Sequence, residues 1–454
     1  MVGFHLVRAR CIVQPSLVAA PAERREDPNR LRSDDRAFHD WYRFVLSYPP
    51  HLVQTYLESF NLGPEDLVLD PFCGTGTTVV ECKRLGIPSV GVEAHPFTAF
   101  AAEVKTDWSP DPVALQNHAA GVADKVLREL SRTGVPDTPL EAHDSPVARH
   151  PALLALPKEL SGLLLTDSIS PRPLHKAVTL LRALGAERDD RFYSHELLAL
   201  ASSVVFQSSN LVFGPEVGLG QIRRDAPVVA PWLDVVNRMV SDLGAADSHR
   251  LTSARIIRAD SREMGAFLPK QSVSAVITSP PYPNEKDYTR TTRLETVLLG
   301  FARSRDDLRA IKRTLVRSNT RSVYRDDTDD TWVANHGEVG RIAREIERRR
   351  KALGKTSGFE RMYPRVARLY FGGMLRHLAG LRSVLKPGAR LAYVVGDQAS
   401  YLRVMIRTGE LISDIAKGLG YEVEGVDLFR TRLATATRAQ LREEVVLLRW
   451  PGQG

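Results

Sequence analysis

The sequence predicts an α/β fold: a doubly wound, mostly parallel sheet of seven strands with two largely helical insertions. Short apolar runs bounded by turn residues recur along the chain, helical periods fall between them, and two long stretches break the alternation.

Residues 1–40 are rich in Arg, Asp and Pro and show no sustained period, so they are expected to form a flexible N-terminal arm. Five runs then read as buried parallel strands, at 67–69, 89–93, 255–259, 273–278 and 391–395. Helical patterns cover 77–85 and 366–385, the second closed by Lys386, Pro387 and Gly388. Residues 421–429 and 444–450 complete the set as a terminal antiparallel hairpin. The sheet domain is thus divided into 41–106, 251–302 and 366–454, with insertions at 107–250 and 303–365.

A chain of 454 residues, 43% of them hydrophobic, can bury a large core. The formal net charge of +8 is unevenly spread: residues 303–365 hold 17 Lys and Arg against 10 Asp and Glu, and 107–250 hold 14 against 18. A polyanion is therefore expected to meet 303–365, where Arg348, Arg349, Arg350 and Lys351 form a basic run on a helical pattern. A solvated helix with internal ion pairs fits that run equally well. The three cysteines, Cys11, Cys73 and Cys82, form no CxxC pair and have no metal-ligand spacing to His, so no metal or disulfide framework is expected and a reducing cytoplasm fits. No apolar run is long enough to span a bilayer, and no signal peptide is evident, so no membrane partner is expected.

The segment LVLDPFCGTGTT (67–78) sets an apolar strand, an acid, two glycines and two threonines ahead of a helix. Gly74 and Gly76 let the backbone turn sharply and approach a ligand, while the helix start offers unpaired N–H groups. Asp70 can meet a cation. The pattern matches neither GxxxxGK[ST] nor GxGxxG, which argues against ATP and dinucleotides. Glu93, at the end of the next strand, is well placed to bond two ribose hydroxyls, so a nucleoside cofactor is expected. A purely structural turn and a hydrated strand-end acid are the alternatives.

After the run 273–278 comes Ser279-Pro280-Pro281-Tyr282, followed by Asp287 and Tyr288. The prolines would hold the Ser279 hydroxyl and the Pro280 carbonyl in one orientation as paired acceptors. Such acceptors, gripping the N–H groups of a conjugated base amine, restore lone-pair density at its nitrogen. Tyr282 offers a π-face for an extruded base. The same string also suits a polyproline turn.

Together, DPFCGTGTT (70–78) and TSPPY (278–282) resemble the bacterial DNA amino-methyltransferases. Ser279 is similar to the N4-cytosine form, whereas adenine-N6 enzymes more often carry Asp there. The resemblance covers 41–105 and 251–451 and implies a Rossmann-like methyltransferase sheet that binds S-adenosylmethionine. It assigns cofactor contact to Asp70, Pro71, Phe72, Gly74, Gly76, Thr77, Thr78, Glu93 and Asp260, and the target amine and base to Ser279, Pro280, Pro281 and Tyr282. It places residues 48–51 at the methionine end of the cofactor and Asp397 at a pocket-wall strand end. For Asp260, a helix N-cap fits as well.

The implied partner is double-stranded DNA, with RNA kept open, and a cognate endonuclease where a restriction system is present. One departure is that the large insertion precedes Asp260. A non-catalytic nucleic-acid-binding subunit is the alternative from another class, but it would not need Asp70, Gly74, Gly76, Ser279 and Tyr282 together.

Overall fold

The computed structural model describes residues 31–138, 152–214, 216–246, 249–433 and 440–452. Its strands are β1 (Val68–Asp70), β2 (Ser89–Val92), β3 (Leu211–Phe213), β4 (Val217–Leu219), β5 (Ala254–Ile257), β6 (Val273–Thr278), β7 (Leu385–Gly396), β8 (Glu422–Leu433) and β9 (Gln440–Arg449). Seven form one sheet in the order β5-β2-β1-β6-β7-β9-β8, while β3 and β4 make a separate hairpin. The pairs from β5 to β7 are parallel, and β9 runs antiparallel between β7 and β8. The expected α/β class and seven-stranded sheet are thus observed.

Alternation along the strands explains the double winding. Leu69, Val276, Leu391 and Tyr393 face a core shared with the helices Gly358–Leu381 and Thr408–Gly418. Val68, Ala275, Ile277, Ala392 and Val394 face the other side, against Leu52, Val53 and Leu57 of helix Pro50–Ser59. Side chains two residues apart in a strand share a face, so each strand is apolar on both faces and needs both layers.

The chain reverses direction of travel across the sheet between β1 and β6, which pair directly through Val68↔Ala275 and Leu69↔Val276. Ligands in open α/β sheets bind beyond the carboxyl ends of strands at such a reversal. This pairing brings the loop after β1 beside the segment after β6, although roughly 200 residues separate them in sequence.

The 107–250 insertion is largely helical, with helices Pro112–Arg132, Pro171–Ala186, Tyr193–Ser203 and Val229–Gly244 around a core of its own. The same core takes in Phe38, Trp41 and Phe97, and the buried Asp35 and His39 accompany them. The described part of the expected flexible arm, residues 31–40, is therefore packed rather than loose; residues 1–30 lie outside the described residues. Trp41 Nε1 and the Phe38 N–H both donate to Asp242 on helix Val229–Gly244, at 2.7 and 2.8 Å, which pins this stretch to the insertion.

Two expected boundaries shift at the other insertion. The expected division at 365/366 falls inside the continuous helix Gly358–Leu381, which contains Pro364. Lys386, Pro387 and Gly388 do not close that helix: they lie in β7, with Gly388 left-handed at φ 85° and its N–H donated to the Trp450 carbonyl. The basic insertion is also not separate from the sheet core, because Val339, Ile342 and Ile346 of helix Gly337–Ala352 pack into it at helical spacing.

Gly372 shows how tightly this side is packed. A Cβ there would stand 1.8 Å from the Asp329 carbonyl oxygen, where the segment Asp329–Val333 crosses the helix. Glycine in a helix interior normally costs about 1 kcal/mol relative to alanine. Here the sign is expected to invert: Gly372→Ala should lower the unfolding free energy by about 3 kcal/mol in chemical denaturation, as overpacking does. A stabilised variant would contradict the crossing.

Candidate active site

Asp70, the last residue of β1, is fully buried. Its carboxylate accepts from the Thr278 hydroxyl at 2.6 Å, the Phe72 N–H at 3.1 Å and the Tyr48 hydroxyl at 3.1 Å. Thr78 Oγ1, one turn away, donates to the Ile277 carbonyl at 3.1 Å and also meets the Tyr48 hydroxyl. Asp70 and Thr78 thus sew β1, β6 and the segment before helix Pro50–Ser59 together beneath the site. Neither lines the cavity, nor does Gly76. Burial raises the Asp70 carboxyl to about 6, against the lowering effect of the bonds it accepts.

Above this clamp lies a cavity of about 620 Å³. Pro71, Phe72, Gly74, Thr77 and Glu93 line one part of it, and Ser279, Pro280, Pro281 and Tyr282 another. The two motifs therefore share one chamber. Its size lies within the range of small-molecule sites.

The glycines differ in purpose. Gly74, at φ 53°, has open space where a Cβ would project, and its N–H donates to Glu93 Oε2 at 2.9 Å. Gly76, at φ 89°, precedes helix Thr77–Arg84, and a Cβ there would stand 3.1 Å from the Ala102 Cβ. It is required both for its left-handed backbone and for close packing on helix Pro96–Thr106. Glu93 also accepts from the His95 N–H at 2.7 Å, so each carboxylate oxygen is oriented by a backbone donor and keeps capacity for another. Burial raises its carboxyl to about 7, opposed by those two N–H bonds.

At the second motif, the Ser279 hydroxyl donates to the Val394 carbonyl at 3.2 Å, which commits its hydrogen and leaves the oxygen as an acceptor. Tyr282 lies over Gly396 at the end of β7, where a Cβ would come within 3.0 Å of its ring. Tyr288 lines the same cavity. Asp287 caps the short helix Tyr288–Thr291 and pairs with Lys312 at 2.7 Å; burial pushes its carboxyl up, but Lys312, the Thr289 hydroxyl and Arg293 together outweigh it and the net shift is downward.

Other expected residues are placed differently. Asp260 is the N-cap of Ser261–Ala266 and grips Arg262, so it takes the capping alternative; its neighbours Ala259 and Ser261 reach the cavity instead. Asp397 is buried against Arg407 and Arg442 and does not line the cavity. Arg348, Arg349, Arg350 and Lys351 lie away from it as well. Arg348 is paired with Glu345 at 2.6 Å, Arg350 with Glu347 at 2.7 Å and Lys351 with Glu347 at 3.8 Å, the arrangement of a solvated charged helix.

The cavity also includes residues that motif reasoning missed. Buried His95 is pushed down to about 3 by burial and by Arg258 and Arg293, and so is neutral; it bonds Thr292. Asn319, Lys312, Arg430, Arg432 and Glu443 line the rim, and Glu216 reaches it from the acidic insertion. Arg430, Arg432 and Glu443 fall in the connection between the expected strands at 421–429 and 444–450, which β8 and β9 extend to include.

A family model described as DNA methylase matches residues 23–103, the stretch that contains the glycine loop and Glu93. The chain is 24% identical over 419 residues to the Type II methyltransferase M.BsoBI of Geobacillus stearothermophilus, covering 86% of this chain and 79% of that protein. Over residues 23–103 the chain is similar to DNA methylases. Over 450 residues it is also 23% identical to the Type II methyltransferase M.AvaI of Nostoc, covering 90% of this chain and 86% of the relative. Among solved structures, TrmN from Thermus thermophilus overlaps 92% of this chain and 53% of its own at a TM-score of 0.30 and 12% identity. Both amino-methyltransferase motifs, read from the sequence, open into the one cavity.

The Asp70 clamp has a pH signature. Its folded value of about 6 lies above the ordinary 3.8, so its contribution to stability is full below the ordinary value and is lost as pH rises through 6. Asn at this position is neutral throughout. The stability difference between the wild type and Asp70→Asn, from denaturant unfolding, is therefore expected to narrow between pH 4 and pH 8. A difference that widens would contradict burial as the dominant cause.

Proposed function

We propose that this chain is an S-adenosylmethionine-dependent DNA methyltransferase that modifies the exocyclic N4 amine of cytosine. The observation that carries the reading is the Ser279 hydroxyl: with its hydrogen given to Val394, its oxygen is an oriented acceptor in the chamber that also holds Gly74 and Glu93.

The donor set fits the cofactor. Glu93 offers two oriented carboxylate oxygens to a ribose diol, and Gly74 leaves space for a close ligand. Phe72, held edge-on to His377 at 4.8 Å, supplies an apolar wall. When bound, the cofactor supplies a sulfonium methyl as electrophile.

The chain's residues then prepare the nucleophile. An extruded cytosine fits against Tyr282, and its amine hydrogens are taken by the Ser279 oxygen and the Pro280 carbonyl. Holding both hydrogens turns the nitrogen lone pair towards the methyl and reduces its conjugation with the ring. The two proline rings limit movement of these acceptors, so catalysis rests on positioning and fixed dipoles. The neutral serine leaves room for a cytosine amine without adding a third acidic group beside Asp287 and Glu443. The described matches to a DNA methylase model and to Type II methyltransferases support DNA as the substrate. The expected basic run at 348–351 lies away from the cavity, whereas Lys286, Arg430 and Arg432 line it, the two arginines sharing Glu443, and are better placed for phosphate contact.

Ser279→Ala and Tyr282→Ala are expected to lower methyl transfer to DNA at least about 100-fold, the scale of removing one positioned donor or acceptor, with cofactor affinity by calorimetry within about threefold of wild type. Gly76→Val should instead lose cofactor affinity first. Equal cofactor loss in all three variants would contradict these roles.

A further inference from the structure

Lys105, in the last turn of helix Pro96–Thr106, belongs to neither motif, and the chemistry above gives it no task. Its side chain turns inwards rather than towards water and is 2% exposed. An ammonium carries three donors and no acceptor, and burying one uncompensated is costly. Among the described residues its one hydrogen-bond partner is Thr75 Oγ1 at 3.5 Å, and no carboxylate pairs with it.

The neighbouring charges are committed elsewhere or too far away. Lys105 shares a recess of about 20 Å³ with Asp35, His39, Arg43, Ser47, Tyr48 and Thr77. Asp35 is taken by His51 at 2.8 Å, and His39 by Glu81 at 2.8 Å. Burial pushes the ammonium down to about 7; Asp40, beyond ion-pairing distance, opposes the fall and Arg43 adds to it. A recess of that size holds about one water, so the fold itself keeps a buried cation without a counter-charge.

The recess backs onto the chamber, since Ser47, Tyr48 and Thr77 line both. Thr75, which accepts from the ammonium, lines the chamber as well. Helix Thr77–Arg84 begins at the same wall. Its cap is Gly76, which has no side chain to accept from the first N–H groups of the helix, and these have no partner within the helix either. Such a helix start attracts an anion. Two independent features, free N–H groups and an unpaired buried ammonium, therefore meet at one wall. Glu93 suits the ribose of the proposed cofactor, and the one anionic group of S-adenosylmethionine is the carboxylate at its amino-acid end.

We propose that Lys105 is the counter-charge for that carboxylate, which docks at the start of helix Thr77–Arg84 with Thr75 beside both charges. This assignment rests on the cofactor reading above. Lys105 completes its partners only when the cofactor is bound, so binding settles a cation that the ligand-free fold leaves unpaired.

The test compares two ligands by calorimetry on the full chain. S-adenosylhomocysteine keeps the carboxylate; its decarboxylated analogue keeps the adenosine, the sulfur and the amine but lacks it. Lys105→Met, an apolar side chain of similar length, should weaken S-adenosylhomocysteine about tenfold or more, the scale of a charge-assisted bond, and leave the analogue within about twofold of wild type. Lys105→Gln should shift the two affinities in the same way. Because methionine removes an unpaired buried charge, ligand-free Lys105→Met should be at least as stable as wild type in chemical denaturation, whereas a purely structural lysine predicts a loss. Equal weakening of both ligands, unchanged affinity for both, or a less stable ligand-free variant would each overturn the assignment. Wild-type protein that binds neither ligand would instead overturn the cofactor reading, and the assignment with it.

Discussion

Everything at this site depends on one buried carboxylate where the sheet reverses. Asp70 closes β1 and accepts hydrogen bonds from Thr278, Phe72 and Tyr48, which belong to β6, the glycine loop and the segment before the first long helix. Removing it would leave the buried Thr278 hydroxyl without an acceptor, at about 1–3 kcal/mol, and free the half-buried Phe72 and Tyr48 donors as well. The parallel pairing of β1 with β6 sets the strands side by side, and the carboxylate fixes how the loops leave them. The cofactor-side loop and the Ser-Pro-Pro-Tyr segment can then face one chamber. Asp70 is thus a positioning residue beneath the chamber and does not touch it.

The chamber is framed by elements of very different origin. Its floor is sheet, its rim includes Phe429, Arg430 and Arg432 of β8 and Glu443 of β9, and Glu216 reaches it from the distant helical insertion. That insertion shares a core with Trp41 and Phe97 and is therefore built onto the sheet domain through its N-terminal segment.

The fold was largely legible because its signal is local. Every strand of the sheet overlapped an expected run, and 273–278 coincided with β6, whereas β7, β8 and β9 extend well beyond 391–395, 421–429 and 444–450. The glycine loop and Ser279-Pro280-Pro281-Tyr282 were legible because glycine and proline restrict backbone geometry whatever surrounds them. Long-range packing was not legible. Gly388 reads as a helix stop but lies inside β7, since a left-handed glycine serves both a helix end and an irregular strand. Asp260 and the Arg348-to-Lys351 run were ambiguous between ligand contact and local bonding, and Arg262, Glu345 and Glu347 claim them in the fold. Glu216 carried no signal, because its approach to the cavity depends on how the insertion packs.

The central claim is that a neutral serine, fixed by the Val394 carbonyl, selects and activates a cytosine amine. Nucleoside mass spectrometry of DNA from a host expressing the full chain tests it most directly, with a host expressing Ser279→Ala as the control. N4-methylcytosine that appears with the wild type and disappears with the variant is the expected result. N6-methyladenine in its place, or no methylated base from a folded, cofactor-binding protein, would contradict it.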